Sequence, residues 1–369
     1  MIIFRYLTKE VYSTLLGVTG VLLVIFICNQ FVHFLEMAAD GRLTGTAVMQ
    51  LMSLQVPILL GLLLPLSLFM GILLVYGRLY VDSEMTVLAA CGVSRAQLVW
   101  LTLASALGVM VVVGILMLWI QPKLAWYRDH IYAEAFQASP IQKMSAGKFE
   151  SIGSGQYVIY AQGLSRDHQR LKNVFAAERP DFDTAGPAKS LGVMYAEGGH
   201  QQIDPKTHEQ YVVFTNGIRY DGIPGQQNYQ IAQFKEYGIR VQTTPYTFSG
   251  KADFTPTTLL WLERDKSPEA MAELQWRFSL PLSVMVLALL AVPLSRVNPR
   301  HGRYLQLIPA VIIYIVYADT LFISQGWLQD GTIPAYIGMW WTHLSFFFLA
   351  LVLLAWQTGW RKWIWRKAK

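Results

Sequence analysis

The stretch GRLYVDSEMTVLAACGVSR, Gly77–Arg95, lies between two long apolar runs and is too short and too polar to cross a bilayer. It still carries the marks of a short helix over about residues 82–91. Asp82 or Ser83 can serve as N-cap, and Glu84 falls in the first turn, where the helix dipole favours an anion. Met85 and Leu88 form an apolar face at i, i+3. Gly92 suits the position just past a helix C-terminus. Ser94 and Gln97 have the spacing of a capping box that opens the next apolar run. A capped helical elbow between two membrane spans presents a structured knob to one side of a membrane.

Working outward, the flanking runs define the class. The first span reads as Tyr12–Phe34, and its apolar run from Val11 to Leu35 exceeds the roughly 7–15 residues of a signal-peptide core. The second run, Ala47–Tyr76, contains Pro57 and Pro65, which are expected to kink or break it. After the elbow comes a third span, Leu98–Ile120, with Pro122 expected to end it. Three more spans read at Leu274–Leu294, Tyr304–Trp327 and Ala335–Trp356. With 53% hydrophobic and 15% charged residues, the chain is a membrane protein rather than a soluble one.

Between the third and fourth spans the sequence turns polar and strand-like. Gln156–Ala161, Leu171–Ala176, Gly192–Ala196 and Gln210–Thr215 are short runs rich in β-branched and aromatic residues. Asn216–Gly217 then looks like a two-residue hairpin turn leading into Ile218–Tyr220. Tyr229–Val241 supplies one or two further strands. Turn residues recur at Gly153–Gly155, Asp181–Gly186, Gly198–Gly199, Asp204–Pro205 and Gly222–Gly225, suggesting a sandwich, jelly roll or open barrel. The expected fold is therefore an α-helical membrane protein with six transmembrane helices and an all-β, jellyroll-like domain inserted between helices 3 and 4. The expected division is 1–122, 123–267 and 268–369.

Charge sets the orientation. The net charge is +6, but Lys123–Lys266 holds 16 basic and 15 acidic residues, so the excess lies beside the spans. This distribution argues against nucleic acid as a partner. With the N-terminus inside, the short inner segments hold 12 Lys and Arg: Arg5, Lys9, Arg78, Arg95, Arg296, Arg300, Arg303 and five in the Arg361–Lys369 tail. The short outer loops hold only Arg42. The positive-inside rule then puts both termini and the elbow in the cytoplasm and the β domain outside. The two cysteines, Cys28 and Cys91, both lie outside the β domain, which must fold without a disulfide.

No phosphate-binding G-x-x-x-x-G-K-[ST] loop occurs; Ser145–Phe149 only superficially resembles one. Glu197, His200, Asp204 and His208 match no metal-ligand spacing and read as loop residues. The β domain has no nucleophile–base motif. No catalytic residue, metal or cofactor is expected. Energy for transport would come from another chain, and the elbow is where an ATPase would push. Asn29, Gln30 and His33 near the outer end of the first span, and Asp319 in the outer part of the fifth, are either solvated at the interface or line a path for an amphiphile with a charged head.

MIIFRYL (Met1–Leu7), LLPLSLFMGILL (Leu63–Leu74), the elbow itself, ELQWR (Glu273–Arg277) and VPLSRVNPRHGR (Val292–Arg303) together resemble the LptF/LptG family, permease subunits of the lipopolysaccharide-export transporter, nearer its F-type members. That resemblance implies six spans, a periplasmic β-jellyroll and a bacterial inner-membrane location. It implies a heterodimer with an LptG-type permease, two copies of the LptB ATPase at the cytoplasmic face, and LptC and a periplasmic bridge at the β domain. Lipopolysaccharide would enter between the first span of one subunit and the fifth of the other. Asp82, Ser83, Glu84, Met85 and Leu88 become the residues coupling to the ATPase, with Glu84 meeting an arginine there. Family members often carry basic residues where this chain has Gln30 and His33. The rival expectations are a membrane-anchored mechanotransmitter that carries no lipid and a membrane-tethered periplasmic enzyme.

Overall fold

The fold is taken from a computed structural model, which describes residues 2–39, 43–137, 146–152, 157–165, 170–178, 191–203, 210–223, 229–241, 251–263, 267–296 and 307–357. Arg42, Arg300, Arg303, Asp204, His208, most of the expected turn residues and the basic tail lie outside them. The chain forms two compact units: Met1–Val32, Leu51–Asp129 and Ser249–Lys369 make one, His33–Gln50 and His130–Phe248 the other.

Among the described residues, six helical stretches are long and apolar enough to cross a membrane. They are α1 (Ile2–Ala39), α2 (Gly45–Val81), the third helix, then α8 (Pro268–Leu294), α9 (Leu307–Gln329) and α10 (Trp340–Gln357). The third consists of α4 (Arg95–Ile115), a π-helical turn (Leu116–Ile120) and α5 (Gln121–Gln137). Between α2 and α4 sits the short α3 (Glu84–Ala90). Two short helices, α6 (Lys251–Phe254) and α7 (Thr257–Glu263), precede α8.

Three prolines lie within unbroken helices. Helix α2 is continuous through Pro57 and Pro65. Pro122 does not end the third helix, which runs on to Gln137. A proline in a helix interior leaves the carbonyl four residues back without its N–H. Here that carbonyl belongs to Leu118, and the Thr257 hydroxyl donates to it at 2.7 Å. Beside it the π turn accommodates the break, the Gln121 N–H donating to Leu116 O. The orphaned acceptor is satisfied from another part of the chain, so the helix survives its proline.

Helix α8 is the most enclosed of the spans, and α1, α9 and α10 are largely open on their outer sides. Leu68, Phe69 and Ile72 of α2 pack in one core with Val284, Leu287 and Leu290 of α8. Hydrophobic transfer does not drive such packing in lipid; close fit and interhelical hydrogen bonds do. Gly71 provides the fit, since a Cβ there would lie 3.3 Å from Leu15 N. The bonds are Tyr76 Oη with Thr102 (2.7 Å), Thr8 with Ser105 (2.7 Å), Tyr317 Oη with His343 Nδ1 (2.8 Å) and Ser324 with Thr342 (3.1 Å).

The second unit holds a six-stranded antiparallel sheet in sequential order: β1 (Phe149–Ile152), β2 (Tyr157–Leu164), β3 (Arg170–Glu178), β4 (Leu191–Ile203), β5 (Gln210–Gly222) and β6 (Gln230–Val241). Asn216–Gly217 is not a hairpin turn; β5 runs straight through it. Asn216 does take the left-handed conformation that suggested a turn (φ 49°), as does Asn173 (φ 49°). The register explains both. Gln162, Asn173, Glu197, Asn216 and Lys235 fall opposite one another across five strands, and the ladders skip all five. All five are exposed. Asn173 Nδ2 donates to Gln162 Oε1 at 2.8 Å and Asn216 Nδ2 to Glu197 Oε2 at 3.4 Å.

Along this row the alternation of buried and exposed residues changes phase. Leu171 is buried before Asn173, and Val174 and Ala176 after it; Phe214 precedes Asn216, and Gly217 follows. The row is a transverse crease that keeps one apolar face continuous (Ile159, Val174, Ala196, Phe214).

Candidate functional site

The elbow is built as a small independent piece of structure. Its helix ends in a Schellman motif: Gly92 N donates to Ala89 O (3.1 Å) and Val93 N to Leu88 O (3.0 Å), with Gly92 at φ 93°. Ser94 then caps α4, its hydroxyl accepting from Gln97 N at 3.2 Å. The start of α3 differs from expectation. Ser83 stands at the cap position in a left-handed conformation (φ 62°) and its side chain makes no capping bond. It serves instead as the joint that closes α2 and starts α3, with Ser83 N bonded to Tyr80 O and Ser83 O accepting from Thr86 N.

Met85 is buried and Leu88 half-buried against the helical core, so both seat the elbow on its own chain. Asp82, Ser83, Thr86, Val87 and Ala89 face outward. Glu84 is half-buried and not a bare acid: the Tyr6 hydroxyl of α1 donates to its Oε2 at 2.9 Å. One turn along α1, Glu10 accepts from Arg78 at 2.9 Å. The first turns of α1 are thus tied to both sides of the joint at Ser83. Sequence reading missed Tyr6 and Glu10, because partners far apart in sequence leave no local spacing to read.

Further bonds place other helix ends beside the elbow. Arg95 donates to the Gln357 carbonyl at the end of α10, and Gln357 Nε2 donates to Pro293 O near the end of α8 at 2.7 Å. The starts of α1 and α4 and the ends of α2, α8 and α10 therefore share one end of the helical unit. Arg78 and Arg95 lie there, and Arg5 and Lys9 are on the adjoining turns of α1.

Asn29 is exposed and Gln30 half-buried on α1; His33 is exposed on the same helix, past the boundary between the units. Asp319 is exposed on α9, 10 residues before its end at Gln329. No hydrogen bond joins Asn29, Gln30 and Asp319 among the described residues. In the β domain, a side-chain cluster escaped the sequence reading. Arg219 bonds both Asp221 oxygens (2.9 and 2.8 Å), Glu178 (3.4 Å) and the Tyr237 hydroxyl, and its hydrogen bonds to Asp221 hold its guanidinium above its ordinary pKa. Among the described residues no group of three His, Cys, Asp or Glu could hold a metal.

Five spans beside an enclosed α8, with a β domain inserted in the chain between the third and fourth, define a multi-pass membrane protein. The family described as lipopolysaccharide export system permease LptF/LptG matches residues 5–356, and the chain belongs to it. The lipopolysaccharide export system permease protein LptF of Escherichia coli K12 is 32% identical over 361 residues, covering 97% of this chain and 96% of the relative; that of Shigella flexneri aligns equally well. The chain is thus a lipopolysaccharide export permease subunit, a multi-pass protein of the Gram-negative inner membrane.

Proposed function

We propose that α3 is where an ATPase drives this permease, and that Glu84 is its charged contact. The carrying observation is the build of the elbow: a Schellman-closed helix seated by Met85, with Asp82 and Ser83 outward and Glu84 bonded to α1. Helix ends sharing one end of the unit, with Arg78 and Arg95 among them, support a cytoplasmic elbow and cytoplasmic termini, with the β domain in the periplasm. Functionally the chain divides as 1–122 and 268–369 in the membrane and 123–267 outside.

The partners are those of the export system: an LptG-type permease as heterodimer, two LptB ATPase copies under the elbows, and LptC with the periplasmic bridge at the β domain. Closure of the ATPase pair pushes α3, the spans move inward, and lipopolysaccharide is squeezed upward. Asn29, Gln30, His33 and Asp319 line the lipid's route, α1 of this chain facing the fifth span of the partner. A carboxyl-bearing side chain exposed on a span is costly against lipid, which favours a watered or partner-lined setting for Asp319. The chain itself hydrolyses nothing; ATP is consumed by the partner.

Glu84→Ala tests this reading. The variant is expected to insert normally yet lose ATPase assembly or lipid release in liposomes. Normal assembly and export would remove Glu84 from the role.

A further inference from the structure

Arg277, on the third turn of α8, is fully buried and uses every donor it has. Nε donates to Glu273 (2.7 Å), Nη1 to Thr255 O (2.9 Å) and Thr257 Oγ1 (3.0 Å), and Nη2 to Ala252 O (3.1 Å) and Asp253 O (2.8 Å). Five N–H groups in a fixed fork meet five acceptors. Three of those acceptors are backbone carbonyls in or just after α6. A four-residue helix cannot stand alone in water, and its terminal carbonyls lack intrahelical partners. Arg277 supplies those partners, with Glu273 four residues earlier balancing the charge.

The bonds continue from there. Thr257, which accepts from Arg277, donates to the Leu118 carbonyl that Pro122 leaves free in the π turn. Arg128 of α5 contacts buried Asp129 (3.3 Å) and reaches Asp253 (3.9 Å). The helical unit gives way to the β-containing unit after Asp129 and resumes at Ser249. Of the four points where the chain passes between the units, one bonded cluster therefore holds the two that flank the β strands, on their helical side. It also joins them to α8, the helix on which α4 packs most extensively.

We propose that Arg277, through Thr257, is the positioning residue that locks α8, the π turn of the third span and the two β-domain connections into one joint, so that movement begun at α3 is delivered to the β domain. The joint is rigid because backbone carbonyls, not flexible side chains, take most of its bonds. The regular helix α4 (Arg95–Ile115) lies between it and α3. The joint rests on the permease function and on power entering at α3.

The test uses the whole transporter in liposomes, measuring ATP hydrolysis and lipopolysaccharide release to the periplasmic acceptor. Thr257→Val keeps side-chain shape and removes only the hydroxyl; Thr257→Ser keeps the hydroxyl; Arg277→Lys keeps the charge and loses the fork. Thr257→Val and Arg277→Lys are expected to assemble and hydrolyse ATP at near wild-type rates while lipid released per ATP falls roughly tenfold, the scale of losing a hydrogen bond to a charged group. Thr257→Ser is expected to restore the ratio. An unchanged ratio in Thr257→Val, or a proportional loss of assembly, hydrolysis and release in it, overturns the proposal. If Arg277→Lys does not fold, Thr257→Val decides alone. Failure of the coupling role of α3 would show separately, as intact assembly and export in Glu84→Ala.

Discussion

Glu84 and Tyr6 show how one hydrogen bond can bear on coupling. A carboxylate that must meet an ATPase arginine is, in this chain alone, already bonded to Tyr6. Docking then exchanges one partner for another, and such a contact is made and broken cheaply at an exposed site. Tyr6→Phe removes the competitor. It is expected to tighten ATPase binding several-fold, since a net hydrogen bond is worth about 1 kcal/mol, while loosening α1 from the elbow. Titration of the ATPase onto the permease pair in nanodiscs measures it; unchanged or weaker binding would mean Tyr6 does not compete for the acid.

Asp253, beside the Arg277 cluster, gives a second residue-scale expectation. Partial burial raises its carboxyl above the usual 3.8, with Arg128 pulling the other way. A carboxyl raised in the folded state holds its proton more tightly there than in the unfolded chain. The stability it contributes is present below its unfolded value and lost as pH rises through the folded one. Asp253→Asn should abolish that slope, leaving wild-type stability in detergent falling with pH over a window the variant does not share.

At the level of elements, the six spans were legible because about 20 apolar residues in a row have few other uses. What local reading could not supply was a partner distant in sequence. Pro122 reads as a stop until Thr257 is known to take up the Leu118 carbonyl. Asn216–Gly217 reads as a hairpin because a left-handed asparagine followed by glycine is the usual turn signal. The same conformation instead serves a crease, visible only once β3, β4 and β6 are in register. Strand β1 was missed because Phe149–Ile152 is short and has no alternating pattern to mark it. Within the candidate site, the closing turn at Gly92 and the cap at Ser94 were readable from local spacing, whereas the Tyr6 and Arg277 bonds were not. The crease carries its own expectation. A β-branched residue in the left-handed region costs about 1–2 kcal/mol, so Asn216→Val should lower β-domain stability by that amount and Asn216→Gly by less. Limited proteolysis of the β domain in the detergent-solubilised chain would rank the two; equal protection would mean the crease does not depend on that conformation.

For the whole molecule, orientation decides whether the elbow is available to an ATPase, and the chain carries its own probe. Its two cysteines are both free and exposed: Cys28 on the outer surface of α1 within an apolar run, Cys91 at the end of α3. A thiol facing lipid is out of reach of charged reagents, whereas one at the elbow meets water. In a Cys28→Ser background, a membrane-impermeant maleimide should label Cys91 in inverted inner-membrane vesicles and leave it unlabelled in spheroplasts. A reporter at Lys172→Cys, exposed on β3, should give the opposite pattern once Cys91 is replaced by serine. Added ATPase should then protect Cys91 in stripped inverted vesicles, because Cys91 lies only two turns of helix from Glu84. Labelling of Cys91 from the spheroplast side would reverse the topology. Correct sidedness without protection would keep the topology and place the ATPase somewhere other than α3.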